Sequence, residues 1–468
     1  MLDHPDLSPG PFAAAFWSLM VAGFDLLRRV SSRALSIAGA AALIGCAGVS
    51  ALRADPYQDP FGEQAEWAQG YDADARLSVT RSTTPVLSQA TFDATQRAID
   101  QYRQIVQSGG WTNVPSGRTL RLGSSGNAVV ALRKRLIVSG DLDASSGSSP
   151  IFDSYVDAGV KHFQARHGLI ENGVVGPEVF SALNMPADMR LHQLEINLVR
   201  LKAFSGNLGQ RFVMANIPAE SVETVENGVV ATHHRAGVGR IDRQSPVMQT
   251  RALDINFNPY WHVPESLIHK DLIPKMLADS NYLTEHHIRI FDKNGQEVPP
   301  SAVNWHSNQA FQYSYKEDPG TENSLGVVRI NINNPYGVYM HDTPEKGVFG
   351  DDNRFVSSGC IRVQNVRDYV QWLLKDTPGW ERPQIDEAIR SGQQVTVKLA
   401  EPVPVYWVYI TAWAYPNGLV EFRDDIYQRD GFNPTVTGSI GRPEPQDGIS
   451  RTSYDQADPG LDAAPDER

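Results

Sequence analysis

Cysteine is nearly missing from this chain, with two in 468 residues. That scarcity excludes a disulfide framework. Cys46 lies in an apolar N-terminal run expected to be removed or membrane-bound, so Cys360 has no partner in the body of the protein. Basic runs are missing as well, and a formal net charge of −12 argues against nucleic acid as a partner. No HExxH or similarly tight motif gathers the histidines, so neither a metal nor another cofactor is expected. No internal repeat is visible.

Long hydrophobic runs are confined to the N-terminus. Arg28, Arg29 and Arg33 precede an Ala- and Gly-rich stretch from Ala34 to Leu52, the pattern of a secretory signal. Leu43-Ile44-Gly45-Cys46 also fits a lipoprotein box with a lipidated Cys46. The run further suits an uncleaved anchor, since about 20 apolar residues span a bilayer. In each version residues 1–54 deliver the remainder to the periplasm, with N-terminal membrane association in two of the three.

What remains divides by its periodicity. Residues 55–90, with Pro56, Pro60 and a Ser/Thr-rich patch, predict a flexible tether. Phe92, Ala98, Ile99 and Tyr102 recur at helical spacing, a scaffold helix within 91–117. Over 118–186 three short helical faces follow: Val129, Leu132 and Leu136; Val156, Val160 and Phe163; Val179, Ala182 and Leu183. His162 and His167, five apart, read as surface residues. Residues 187–208 predict a linker helix. From 209 the period falls to two, with Glu226-Asn227-Gly228 as a hairpin turn, and a mostly β domain runs to 400. A stretch over 261–319 that reads helical after Pro264 interrupts it as a lid insertion. A hairpin over 401–428 and a disordered Pro- and Gly-rich tail over 429–468 complete the chain.

An unpaired cysteine in an exported protein calls for chemistry. Cys360 ends a small-residue turn, Ser357-Ser358-Gly359, and His341 ends an alternating strand nineteen residues earlier. That pair suits a thiol nucleophile with an imidazole base. A backbone carbonyl near Asp342 would orient the imidazole, and the turn at Gly359 and Cys360 would offer N–H groups to an oxyanion. The other reading of Cys360 is an inert core thiol.

The segment His341…Ser357-Ser358-Gly359-Cys360-Ile361-Arg362 resembles the signature of the L,D-transpeptidase (YkuD-like) family. Ser358 stands where many members carry a second histidine. LRLGSSGNAVVALRKRL and VKHFQARHGLIENGVVGPEVFSALN resemble the peptidoglycan-binding type 1 domain. The resemblance, to the larger subgroup with such a module and a lid, spans roughly 90 to 430. It implies a multi-domain α+β protein: a mostly β, YkuD-like sandwich with a helical lid insertion, plus a three-helix peptidoglycan-binding domain.

The resemblance also implies that Cys360 attacks the third residue of a tetrapeptide stem of peptidoglycan and expels D-alanine, with His341 moving the proton. A second stem as acceptor gives a 3→3 cross-link, water gives carboxypeptidase activity, and a protein amine gives attachment of an outer-membrane or wall protein. Arg362 pairs a stem carboxylate or braces the loop, and Tyr339, Asn323 and Trp261 line the donor cleft beside Ser357 and Ser358. A carbapenem is expected to acylate Cys360. A papain-type hydrolase is disfavoured because its histidine follows its cysteine at a distance. A wall-binding scaffold with a decayed site is the non-enzymatic alternative.

Overall fold

The computed structural model describes residues 82–204, 206 and 208–431. The expected signal or anchor, Cys46, most of the tether and most of the tail lie outside the described residues. Among the described residues no helix is long and apolar enough to cross a membrane.

The period-two segments form strands β1 (Arg211–Asn216), β2 (Ser221–Glu226), β3 (Val229–Gly239) and β4 (Met248–Phe257). After an insertion carrying β5 (Trp261–His262), β6 (Ile288–Phe291), β7 (Glu297–Val298) and β8 (Ser314–Glu317), the main sheet resumes. It continues with β9 (Val328–Ile332), β10 (Met340–His341), β11 (Phe355–Ser357), β12 (Ile361–Val363) and the fourteen-residue β13 (Val395–Val408). β3 pairs with β2 along its first part and with β12 near its end. The ring β3-β12-β10-β9-β4-β13-β1-β2 therefore closes on itself, with β11 added beside β3. Closure leaves the inner strands without free edges.

Alternation sends one side chain in two into a shared core: Ile255, Ile330, Met340, Ile361 and Val363 are all fully buried. A helix over Val366–Leu374 covers this core with Val366, Tyr369, Val370 and Leu373, the face its 3.6-residue spacing predicts. Burying each such side chain is worth about 1.5–3 kcal/mol.

The insertion is a small unit with its own core around Leu283, Ile290 and Tyr315. It contains the helical run expected after Pro264, residues 265–278, and adds a four-stranded sheet in the order β5-β8-β6-β7. The helical run opens into a π turn at Ile268–Leu272, immediately before Pro274, which has no N–H to give the preceding turn.

Upstream, α1 (Gln89–Gln107) starts at an N-cap where the Ser88 side chain accepts from the Thr91 N–H. Three helices, α2 (Asn127–Val138), α3 (Ser154–Arg166) and α4 (Pro177–Asn184), pack around Leu132, Leu136, Val156, Phe163 and Leu183. The last begins with Pro177, whose missing N–H costs nothing at a first turn. α5 (Ala187–Ala203) packs on α1 and on a hairpin of β14 (Ala412–Ala414) and β15 (Val420–Phe422).

Three expectations need correction. Residues 82–90, assigned to the tether, are ordered: Val86 and Leu87 are buried against Met214 and Tyr406, and the Val86 N–H binds Glu223. The boundary at 400/401 cuts through β13, which pairs with β4 on one side and β1 on the other, so the main sheet extends to Val408. His167 is not a surface residue. Its ring stacks between Phe163 and Phe422, 3.8 and 5.5 Å between centroids, and burial holds its pKa well below the usual imidazole range.

Candidate active site

Two short parallel strands bring the predicted pair together. β10 and β12 align Met340 with Ile361 and His341 with Arg362, and the Ile361 N–H donates to the Tyr339 carbonyl at 3.0 Å. Since Met340 and Ile361 point into the core, alternation sends Tyr339, His341, Cys360 and Arg362 to the opposite face. The Tyr339 N–H donates to Cys360 Sγ at 3.4 Å.

His341 Nδ1 lies 2.5 Å from the Asp342 carbonyl oxygen. A carbonyl can only accept, so the proton sits on Nδ1 and Nε2 keeps its lone pair. Asp342 is held in turn. Its carboxylate accepts from the Val327 N–H at 3.1 Å and pairs with Lys346, and its own N–H reaches the Val328 carbonyl. Gly326, with φ +61, passes so close that an added Cβ would sit 2.5 Å from the Asp342 carboxylate.

The turn before Cys360 is tied at each residue. Ser357 Oγ donates to the Cys360 carbonyl at 2.6 Å and accepts from the Gly359 N–H at 3.1 Å. Gly359 adopts φ +115, open to glycine and strained for other residues. Its carbonyl accepts from the fully buried Ser245 Oγ at 2.8 Å, and Ser245 Oγ also accepts from the Gly239 N–H at 2.9 Å. Tyr427 OH donates to the Gly239 carbonyl and accepts from the Ser245 N–H. Ser245→Ala should cost about 1–3 kcal/mol by orphaning buried partners. It should also slow Cys360 alkylation as the turn loosens, and an unchanged melting temperature and alkylation rate would count against this brace.

Burial sets the charges. The Cys360 thiol is pushed up to about 11, by desolvation and against the pull of the Tyr339 N–H, Arg362 and Arg329. His341 is pushed down to about 3, by desolvation and then by the positive charge of Arg362. The resting pair is therefore thiol and neutral imidazole rather than thiolate and imidazolium.

The remaining sequence-predicted residues fall into two groups. Tyr339 faces the site, half-buried. The others have side chains engaged within the protein. Ser357 is buried in the turn. Ser358 is exposed, but its Oγ takes Arg243, which also forks to Asp271 in the insertion at 2.5 and 2.8 Å. Asn323 is buried and closes its own loop, donating to the Asp318 carbonyl and accepting from the Leu325 N–H. Trp261 packs on the core of the insertion. Arg362 pairs with Glu345 at 2.9 Å, a contact of the loop-bracing kind. The Gly359 N–H, expected near an oxyanion, is already given to Ser357. Among the described residues no three His, Cys, Asp or Glu converge as a metal site requires.

Sequence reasoning missed Ser245, Tyr427, Arg243 and Arg329. A signal for Arg329 existed in the pattern of its strand: a charged residue set into an otherwise apolar alternation, Val-Val-Arg-Ile-Asn-Ile.

Residues 210–385 match the L,D-transpeptidase catalytic domain of the YkuD family, and residues 125–183 match the family described as "Putative peptidoglycan binding domain". A Haemophilus influenzae protein named "Putative L,D-transpeptidase" is 34% identical over 239 residues, 51% of this chain and 48% of that protein. The chain thus matches about half the length of that curated relative. Among solved structures, an L,D-transpeptidase from Mycobacterium smegmatis covers 42% of this chain, 58% of its own, at 15% identity and a TM-score of 0.22. One from Xylanimonas cellulosilytica covers 63% and 99%, at 14% identity and a TM-score of 0.20.

Proposed function

Because residues 210–385 carry an L,D-transpeptidase catalytic domain and residues 125–183 a peptidoglycan-binding domain, we propose that this protein is an exported cysteine transpeptidase of the periplasm that cross-links peptidoglycan stems. The observation that carries the mechanism is the His341–Asp342 contact, which leaves Nε2 unprotonated on the face shared with Cys360. Cys360 Sγ attacks the carbonyl of the third stem residue as His341 Nε2 takes the thiol proton. The oxyanion falls to the Cys360 N–H, since that of Gly359 is already donated. The C–N bond breaks, the proton on Nε2 passes to the departing D-alanine amine, and a thioester remains. A side-chain amine of a second stem then attacks, loses its proton to Nε2, and the thiol is regenerated. The helical module holds the polymer, and Arg28, Arg29, Arg33 and the apolar run after them support export.

Incubation with tetrapeptide muropeptides, followed by mass spectrometry, tests this reading. Dimers that have lost one D-alanine per bond are expected. Trimmed monomers alone would replace transfer with carboxypeptidase activity, and modified wall proteins alone would make the acceptor a protein. Unmodified stems would leave the wall-binding scaffold.

The neutral resting pair predicts the pH response of the acylation step. The imidazole can accept a proton above about 3 and the thiol retains one below about 11. The rate of acylation by a carbapenem should therefore be flat between pH 5 and pH 9, roughly, with falls only outside that window. A one-proton break near 6.5 would mean that His341 titrates as an ordinary exposed imidazole.

A further inference from the structure

Across the sheet, His341 aligns with Arg329 on β9, and Arg329 aligns with Asn256 on β4. Ile330 points into the core, so Arg329 shares the face of His341 and Cys360. Its guanidinium lies over the Tyr339 ring, 4.9 Å from the centroid, and the Tyr339 N–H touches Cys360 Sγ. Yet among the described residues Arg329 forms no salt bridge, and its buried Nε has no hydrogen-bond partner. The neighbouring charges are spoken for: Arg362 holds Glu345, Lys346 holds Asp342, and Asp254, the carboxylate on this face, accepts from Asn331.

Half-buried, with no carboxylate paired to it, the Arg329 guanidinium keeps its fork for an anion from outside the fold. We propose that Arg329 is a carboxylate-binding residue of this site and takes the C-terminal carboxylate of the stem residue that Cys360 expels. The proposal rests on the transpeptidase reading for the identity of that residue. The reach is appropriate: the carboxyl carbon of a terminal residue lies roughly 4 Å from the carbonyl carbon before it, about one residue's advance along the chain. The guanidinium stands over the ring of Tyr339, the residue whose N–H touches Cys360 Sγ. The field agrees, since the charges that act on both His341 and Cys360 are the cations Arg362 and Arg329. Arg329 would then measure where the stem ends. A stem one residue longer presents an amide at this point, and the fork that binds two carboxylate oxygens loses its partner.

Two measurements separate this proposal from the reading it rests on. Alkylation of Cys360 by iodoacetate and by the uncharged iodoacetamide reports carboxylate recruitment without any stem peptide. In Arg329→Gln the iodoacetate-to-iodoacetamide rate ratio should fall about tenfold, with Arg329→Lys in between as the charge-preserving variant. In the second measurement, the wild type should process a tetrapeptide ending in D-alanine far better than its D-alaninamide, and Arg329→Gln should lose that preference through KM for the acid. An unchanged alkylation ratio, or equal losses on acid and amide, would overturn the proposal and leave Arg329 a structural cation. A wild type that releases no D-alanine while the alkylation ratio still shifts would instead overturn the transpeptidase reading.

Discussion

Cys360→Ser is expected to release D-alanine at a rate reduced by at least about 10³-fold and to form no covalent adduct detectable by intact-mass spectrometry. The fold offers a serine little help. His341, held near 3, is a weak base, and the proton of a thiol near 11 already lies at the edge of what it can accept in a transition state. A hydroxyl, which ionises several units higher still, would lie out of reach. The exchange is nearly isosteric, and the turn bonds of Ser357, Gly359 and Ser245 do not involve Sγ. The variant should therefore melt as the wild type does. Residual adduct formation by Cys360→Ser at more than a hundredth of the wild-type rate would remove Cys360 from its proposed role.

Gly239→Ala should be the most destabilising single methyl in the domain. A Cβ at Gly239 would overlap the Arg243 carbonyl oxygen and the Ser245 N, both backbone atoms that no rotamer change can clear. The N–H and carbonyl of Gly239 also anchor Ser245 and Tyr427, so displacement spreads into the turn at Gly359. A loss of about 3–5 kcal/mol is expected, with a melting temperature lower by about 10 °C. Gly347→Ala, where an added Cβ meets nothing within 4 Å, is the matched control. Equal melting temperatures for the two variants would show that the 240–245 loop yields freely.

Local patterns proved readable where one short-range rule governs them. The alternation in Val-Arg-Ile-Asn-Ile, the helical stripe Val366, Tyr369, Val370 and Leu373, and the Ser-Ser-Gly-Cys turn each declare their geometry within a few residues. Contacts that depend on closure of the ring do not. Ser245 and Tyr427 reach Gly239 and Gly359 from segments far away in sequence, and nothing near them advertises a partner. The charge state of the pair was equally hidden, because residue types favour a thiolate–imidazolium and burial reverses that choice. The internal partners of polar side chains were a third hidden feature. Ser357 and Asn323 carry polar groups in cleft-like positions, yet each spends them on its own loop.

β13 has a mechanical consequence. The strand leaves the closed ring at Val408 and leads within a few residues into the β14–β15 hairpin, where Val420 accepts from Arg166, Arg423 donates to the Arg166 carbonyl, and Phe422 stacks on His167. The helical module is thus clamped to the continuation of a strand whose other end lies in the sheet bearing Cys360. Such a layout works as a caliper rather than a leash. Polymer gripped by the module would meet the nucleophile at one set span and bearing, so the spacing of stems along the polymer, as well as their chemistry, would decide which ones are joined.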